Sequence, residues 1–167
     1  MARSFCFVTL CAAILTLAVS TGALAQTDPA ALWEQQLEAI ARGDVAGALA
    51  LYADDAIIDA AGPCAAAPCV GKAAIQKYVE RAVANKTHVH TTIKNYVSGN
   101  VVTSRFEVRD ETIKQAGVER IIGWFIVVTN GEKITYLRGG GILDRSDPQT
   151  ARFAEWQRTQ RAQPPAQ

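Results

Sequence analysis

The chain has almost no imbalance of charge: 17 lysines and arginines stand against 16 aspartates and glutamates. No basic run gathers them on one stretch, which argues against nucleic acid or an anionic membrane surface as partner. Histidine is scarce, with His88 and His90 the only two, so any imidazole chemistry rests on that pair. Long apolar runs are missing apart from Phe5 to Val19, about fifteen residues against the roughly 20 that a membrane-spanning helix needs. There is no internal repeat and no linker. The chain is therefore read as one domain with its own core.

What is present begins with an export signal. Arg3 supplies a positive start, the run from Phe5 to Val19 follows, and Ala23-Leu24-Ala25 before Gln26 is the small-x-small pattern that a signal peptidase reads. Residues 1–25 are read as a signal peptide cleaved between Ala25 and Gln26, which places the mature protein in the periplasm or outside the cell. Cleavage removes one charged residue, Arg3, and leaves basic and acidic residues equal in number. It also removes Cys6 and Cys11, so the mature chain keeps Cys64 and Cys69. An isolated close pair in an oxidising compartment forms a disulfide, with free thiols or metal ligation as the alternatives. The enclosed ring is short, so chain entropy contributes roughly 2 kcal/mol, and the bridge stiffens the loop from Pro63 to Cys69.

Periodicity divides the mature chain into helices first and strands afterwards. Asp28-Pro29 starts a helix that carries Trp33, Leu37 and Ile40 on one stripe and ends at Gly43. Asp44 caps a second, short helix, and Ile75, Val79 and Val83 mark a third over Lys72 to Asn85. Between them Asp55 to Asp59 reads as a brief strand. From His88 onward the period becomes two, giving strands over His88 to Val97, Val101 to Arg109, Glu119 to Thr129 and Lys133 to Leu143. Short turn-forming breaks join them, as in an antiparallel meander. Gly139-Gly140-Gly141 opens no helix and is read as a bend in the last strand. Residues 147–162 form a C-terminal helix carrying Phe153 and Trp156, and residues 163–167 a disordered tail. The fold class is α+β, with helices covering one face of a curved sheet. Because Ile121 to Val128 is apolar on both faces, the other face needs cover from the C-terminal helix or from a second subunit.

Several local strings then stand in a familiar order. They are Ala41-Arg42-Gly43-Asp44 with Leu51-Tyr52-Ala53-Asp54-Asp55-Ala56, Gly71-Lys72-Ala73-Ala74-Ile75, and Asn130-Gly131-Glu132-Lys133-Ile134 with Leu137-Arg138. Together they cover about Leu32 to Asp144, and the chain resembles the SnoaL-like branch of the nuclear transport factor 2-like superfamily, over residues 26–146. That superfamily includes ketosteroid isomerase, polyketide cyclases and limonene epoxide hydrolase. The resemblance implies a cone: a curved antiparallel sheet wrapped around three N-terminal helices, with a mostly apolar pocket opening at one end. Fold alone does not choose among its functions.

Set against ketosteroid isomerase, the oxyanion tyrosine of the family falls near Gln36, its base carboxylate near Ala60 with Asp59 beside it, and its protonated acid near Trp124. The donor carboxyl that holds a dienolate is thus absent. Limonene epoxide hydrolase fits better, since Thr103-Ser104-Arg105-Phe106-Glu107 is similar to its strand signature. Residues two apart on a strand share a face, so Arg105 and Glu107 together could enter the pocket and position a water. The alternative is a solvent-facing pair with Val102, Phe106 and Val108 as the buried face. The second acid of that enzyme is missing, because Arg138 is followed by glycines, and its water-holding pair falls near Ile58 and Ala60.

The site expected from these residues has Asp59, His90, Arg105 and Glu107 as acid–base candidates, and Tyr78, His88, Trp124 and Arg138 as ligand contacts. Each has a plainer reading: a turn residue for Asp59, a polar strand start for the histidines, core for Tyr78, Trp124 and Phe125. A metal site of Cys64, Cys69, His88 and His90 is the minor alternative to the disulfide, so no metal and no cofactor are expected. The function expected is binding of a small, largely apolar molecule by an exported homodimer paired through the sheet, with isomerase, cyclase or hydrolase chemistry as an option. The competing class is a non-catalytic ligand carrier or dimerisation module.

Overall fold

A computed structural model describes residues 28–85 and 88–162. The signal peptide and the tail expected from the sequence lie outside the described residues. Helix α1 (Pro29–Ala41) begins where the Asp28 carboxylate accepts a hydrogen bond from the Ala30 N–H at 3.0 Å, with Pro29 in the first turn. It ends at Gly43, which takes the left-handed conformation at φ +75°. Helix α2 (Val45–Ala50) is capped by Asp44 through the Gly47 N–H at 2.8 Å. Strand β1 (Tyr52–Asp59) leads into the loop closed by strand β2 (Cys69–Val70), and helix α3 (Lys72–Ala84) buries Ile75 and Val79. No helix among the described residues is long and apolar enough to cross a membrane.

The second half is the meander. Strands β3 (His88–Ser98), β4 (Val101–Arg109), β5 (Ile121–Thr129) and β6 (Ile134–Leu143) pair antiparallel in sequence order, and helix α5 (Pro148–Ala162) follows. The full sheet runs β2-β1-β6-β5-β4-β3. Its one parallel pairing is β1 with β6, since β1 reaches the sheet through helices rather than a hairpin turn. The result is a curved, unclosed sheet around helices, the α+β cone.

Alternation sorts the side chains of the central strands. Val102, Ser104, Phe106 and Val108 of β4, with Ile121, Phe125 and Val127 of β5, are buried against the helices. The bend expected at the glycine run is visible in the register, because Trp124 pairs with Ile142 while Ile126 pairs with Arg138. Two steps on β5 thus face four on β6, as in a bulge. Phe106 stacks on Phe125 with ring centroids 4.1 Å apart, and Trp33 meets Phe125 at a tilt of 58° with centroids 4.9 Å apart.

Two elements differ from expectation. The break between β4 and β5 contains helix α4 (Glu111–Gln115), capped by Asp110 through the Ile113 N–H at 2.7 Å. Five residues span little more than one turn, too few for a period to register in sequence. The two-residue strand β2 is equally brief, and forms because the Cys64–Cys69 disulfide folds its loop back along β1.

Candidate functional site

Between α1, α3 and the inner face of the sheet lies a cavity of about 170 Å³. Its wall is mostly apolar: Leu37 and Ile40 from α1, Phe106 and Val108 from β4, Phe125 from β5. The loop segment Ala61, Gly62 and Pro63 forms part of it, and the disulfide next to that segment restrains it, with Cys64 fully buried. A lining of this kind favours apolar guests, and the few polar atoms in it set orientation.

Those polar atoms are specific. Gln36 is 1% exposed, and neither its amide nitrogen nor its amide oxygen has a hydrogen-bond partner. The Trp33 Nε1–H, one turn earlier on α1, is also buried without an acceptor. Unpaired buried groups are rare in native proteins, and each costs about 1–3 kcal/mol. Both residues line the cavity, and a guest oxygen suits the Trp33 N–H and the Gln36 NH₂, which donate, while the Gln36 oxygen takes a donor. From α3 come Tyr78, Arg81 and Asn85. Burial pushes the Tyr78 hydroxyl up to about 12, so it stays protonated and able to donate at neutral pH.

Asp110 lines the cavity at the end of β4. Burial raises its carboxyl above the usual carboxylate range and Glu111 adds to this, while the backbone N–H groups of Ile113 and Thr112 pull the other way. Asn85 braces the same corner: its carbonyl accepts from the Glu111 N–H at 3.2 Å, and its Nδ2 donates to Thr112 Oγ1 at 3.4 Å.

Of the residues expected at the site from sequence, Tyr78 lies on this wall. Arg105 and Glu107 do not enter the pocket, and the reason is strand parity. Phe106 and Val108 take the inner face, which turns Arg105 and Glu107 outward. There Arg105 pairs with Asp144 at 2.8 Å and lies 6.0 Å above the Trp124 ring, while Glu107 pairs with Arg109 at 2.9 Å and Arg120 at 3.5 Å. Arg120 in turn holds Asp147 at 3.1 Å. These ion pairs fasten the start of α5 to the outer side of the sheet. Asp59 also lies away from the cavity, where it accepts from the Tyr136 hydroxyl at 3.2 Å and pairs with Arg138 at 3.4 Å. Trp124 stands on the outer face, 6.1 Å from Tyr96. The side chains of His88 and His90 lie outside the described residues.

Sequence reasoning missed Trp33 and Asp110 as site residues, and met Gln36 only as a position matched to another enzyme. Gln36 had a readable signal, since it falls three residues after Trp33 and four before Ile40 on the stripe of α1 that faces the core. Asp110 had none, because its position depends on the five-residue helix that it caps.

The architecture has many solved counterparts. Rv0760c from Mycobacterium tuberculosis, in complex with estradiol-17beta-hemisuccinate, is 21% identical with a TM-score of 0.54, the match covering 66% of this chain and 92% of that one. The Δ5-3-ketosteroid isomerase of Mycobacterium sp. is 21% identical with a TM-score of 0.55, over 67% of this chain and 92% of that one. A polyketide cyclase-like protein from Xanthomonas campestris pv. campestris is 19% identical with a TM-score of 0.54, over 70% and 93%. Identities this low speak to the fold alone. No curated protein matches the chain in sequence. The family model of the SnoaL-like domain matches residues 33–152, from the cavity tryptophan of α1 into α5, and the chain belongs to that family.

Proposed function

We propose that this protein binds a small, largely apolar molecule carrying one acceptor oxygen, held in the cone cavity by the Trp33 N–H and the Gln36 amide. The observation that carries this reading is the pair of residues with unpartnered buried polar groups on a mostly apolar wall. Leaving such groups unpaired costs stability, and a guest compensates. A steroid-class ligand is bound in one neighbour of the same fold, and another neighbour is a ketosteroid isomerase. The cavity here, about 170 Å³, is closer to the roughly 150 Å³ that holds a benzene-sized guest, so we assign a one-ring molecule rather than a four-ring one.

Binding without turnover is the version that the side chains favour. The carboxylates Asp59 and Glu107 are engaged in ion pairs away from the cavity, which leaves Asp110 as the carboxyl group on the wall among the described residues. We place the protein outside the cytoplasm after cleavage between Ala25 and Gln26, in keeping with its disulfide. A second copy is proposed to cover the outer face of the sheet, where Tyr96 of β3 is 48% exposed beside Trp124.

Native mass spectrometry of protein purified from its source tests the reading in one experiment. The expected species is a dimer of chains beginning at Gln26, each with one disulfide and one small-molecule adduct. Protein that never carries an adduct, and that no one-ring ketone stabilises against heat, would overturn the binding role.

A further inference from the structure

The cavity carries another polar group, Asp110, on a different element from Gln36. Phe106, Val108 and Asp110 line it in alternation, and the backbone at Asp110 is still extended, with φ −152° and ψ 175°. Four residues at about 3.3 Å each put roughly 13 Å of chain between Phe106 and Asp110. The Asp110 carboxylate has one oxygen, Oδ1, held by the Ile113 N–H at 2.7 Å. The Thr112 N–H also bonds the carboxylate, and no side-chain donor is paired with it among the described residues. Arg81 of α3 lines the same cavity, and among the described residues no ion pair joins it to Asp110.

A charged guest group meets one attractive and one repulsive side chain here, Asp110 and Arg81 being of opposite sign, so neither sign of charge is favoured. A hydroxyl satisfies both, because it donates one hydrogen bond and accepts two. We propose that Asp110 is a specificity-determining residue of the cavity, accepting the hydrogen bond of a guest hydroxyl that also accepts from Arg81. The inference rests on the binding reading above and sharpens its ligand class. The guest is a small ring compound with a carbonyl-type oxygen at one end, for Trp33 and Gln36, and a neutral hydroxyl at the other. Burial of Asp110 supports this, since a desolvated carboxylate gains more from a donor than a solvated one does.

Calorimetric titration with acetophenone, 4-hydroxyacetophenone and 4-methoxyacetophenone tests the proposal at pH 7. In the natural protein the hydroxy compound is expected to bind at least about tenfold more tightly than its methyl ether, which cannot donate. In Asp110→Asn the carboxamide oxygen still caps α4, as asparagine does well, and its NH₂ faces the guest instead. The preference should then fall to within about twofold. Equal affinities of hydroxy and methoxy compounds in the natural protein, or an undiminished preference in D110N, would overturn the role of Asp110 while the binding reading stands. If none of the three binds the natural protein, both fall together.

Discussion

The ring of Phe125 occupies the space in which a side chain at Gly139 would stand. The two residues face each other across β5 and β6 at the bulge, and the missing side chain lets the ring lie flat against Phe106 while it meets Trp33. Gly139→Ala should therefore push the ring into the cavity, at a cost of about 1–3 kcal/mol from overpacking. Urea denaturation measures this. Combining it with Phe125→Leu should cost clearly less than the sum of the two single changes, because the smaller side chain removes the clash. Simple additivity would mean that the two positions are not in contact.

Gln36 sets stability against function. Gln36→Met keeps the length of the side chain and removes both unpartnered atoms, so the ligand-free protein should gain about 1 kcal/mol. Affinity for acetophenone should drop by about tenfold at the same time. Chemical denaturation and calorimetry on the same variant read both effects. A loss of stability would indicate that the amide is already bonded in the native state.

Asp110 and Asp147 should titrate with opposite consequences. Burial raises Asp110, where Arg81 and Tyr78 face the cavity from α3 and Glu111 adjoins it on α4. Its native form therefore holds the proton more tightly than the unfolded chain does, and its contribution to stability falls as pH rises above the ordinary carboxylate range. Burial also works to raise Asp147, but the Thr150 backbone N–H and hydroxyl and the Arg120 guanidinium outweigh it and hold the carboxyl low. Its contribution is present above the unfolded value and is lost as pH falls. Unfolding free energies of D110N and D147N, each subtracted from the natural protein across pH 3 to 7, should slope in opposite directions. Parallel slopes would contradict these assignments.

The Cys64–Cys69 bridge stiffens a wall as well as a loop. Reduction should lower unfolding stability by about 2 kcal/mol and weaken guest binding, because Ala61, Gly62 and Pro63 lose their restraint. Undiminished affinity after reduction would assign the bridge to folding alone.

Much of the fold was legible because its signals are local. Asp28-Pro29 and Gly43 bound α1, the four-residue recurrence of Ile75, Val79 and Val83 marks α3, and the alternation in β4 is nearly unbroken. Alternation, however, identifies two faces without saying which one meets the helices. In β4 the apolar set of Val102, Phe106 and Val108 pointed one way and the likeness to an epoxide hydrolase, through Arg105 and Glu107, pointed the other. The burial of Phe106 decided it. The ion pairs of Arg105 and Glu107 join residues far apart in the chain, to Asp144 and Arg120, and no spacing rule reveals such partners. Gln36 was passed over because a polar residue within an apolar stripe reads as a flaw in the stripe, whereas here it is a polar point of the wall.

The most direct measurement follows the three tryptophan indole N–H resonances in an ¹⁵N-labelled sample during titration with 4-hydroxyacetophenone. Trp33→Phe assigns the cavity signal; Trp124 lies on the outer face and Trp156 on α5. The account predicts that the Trp33 resonance moves downfield as its proton gains an acceptor, while the other two stay in place. Movement of the Trp124 resonance with Trp33 unchanged would contradict it, because the guest would then be bound on the outer face of the sheet.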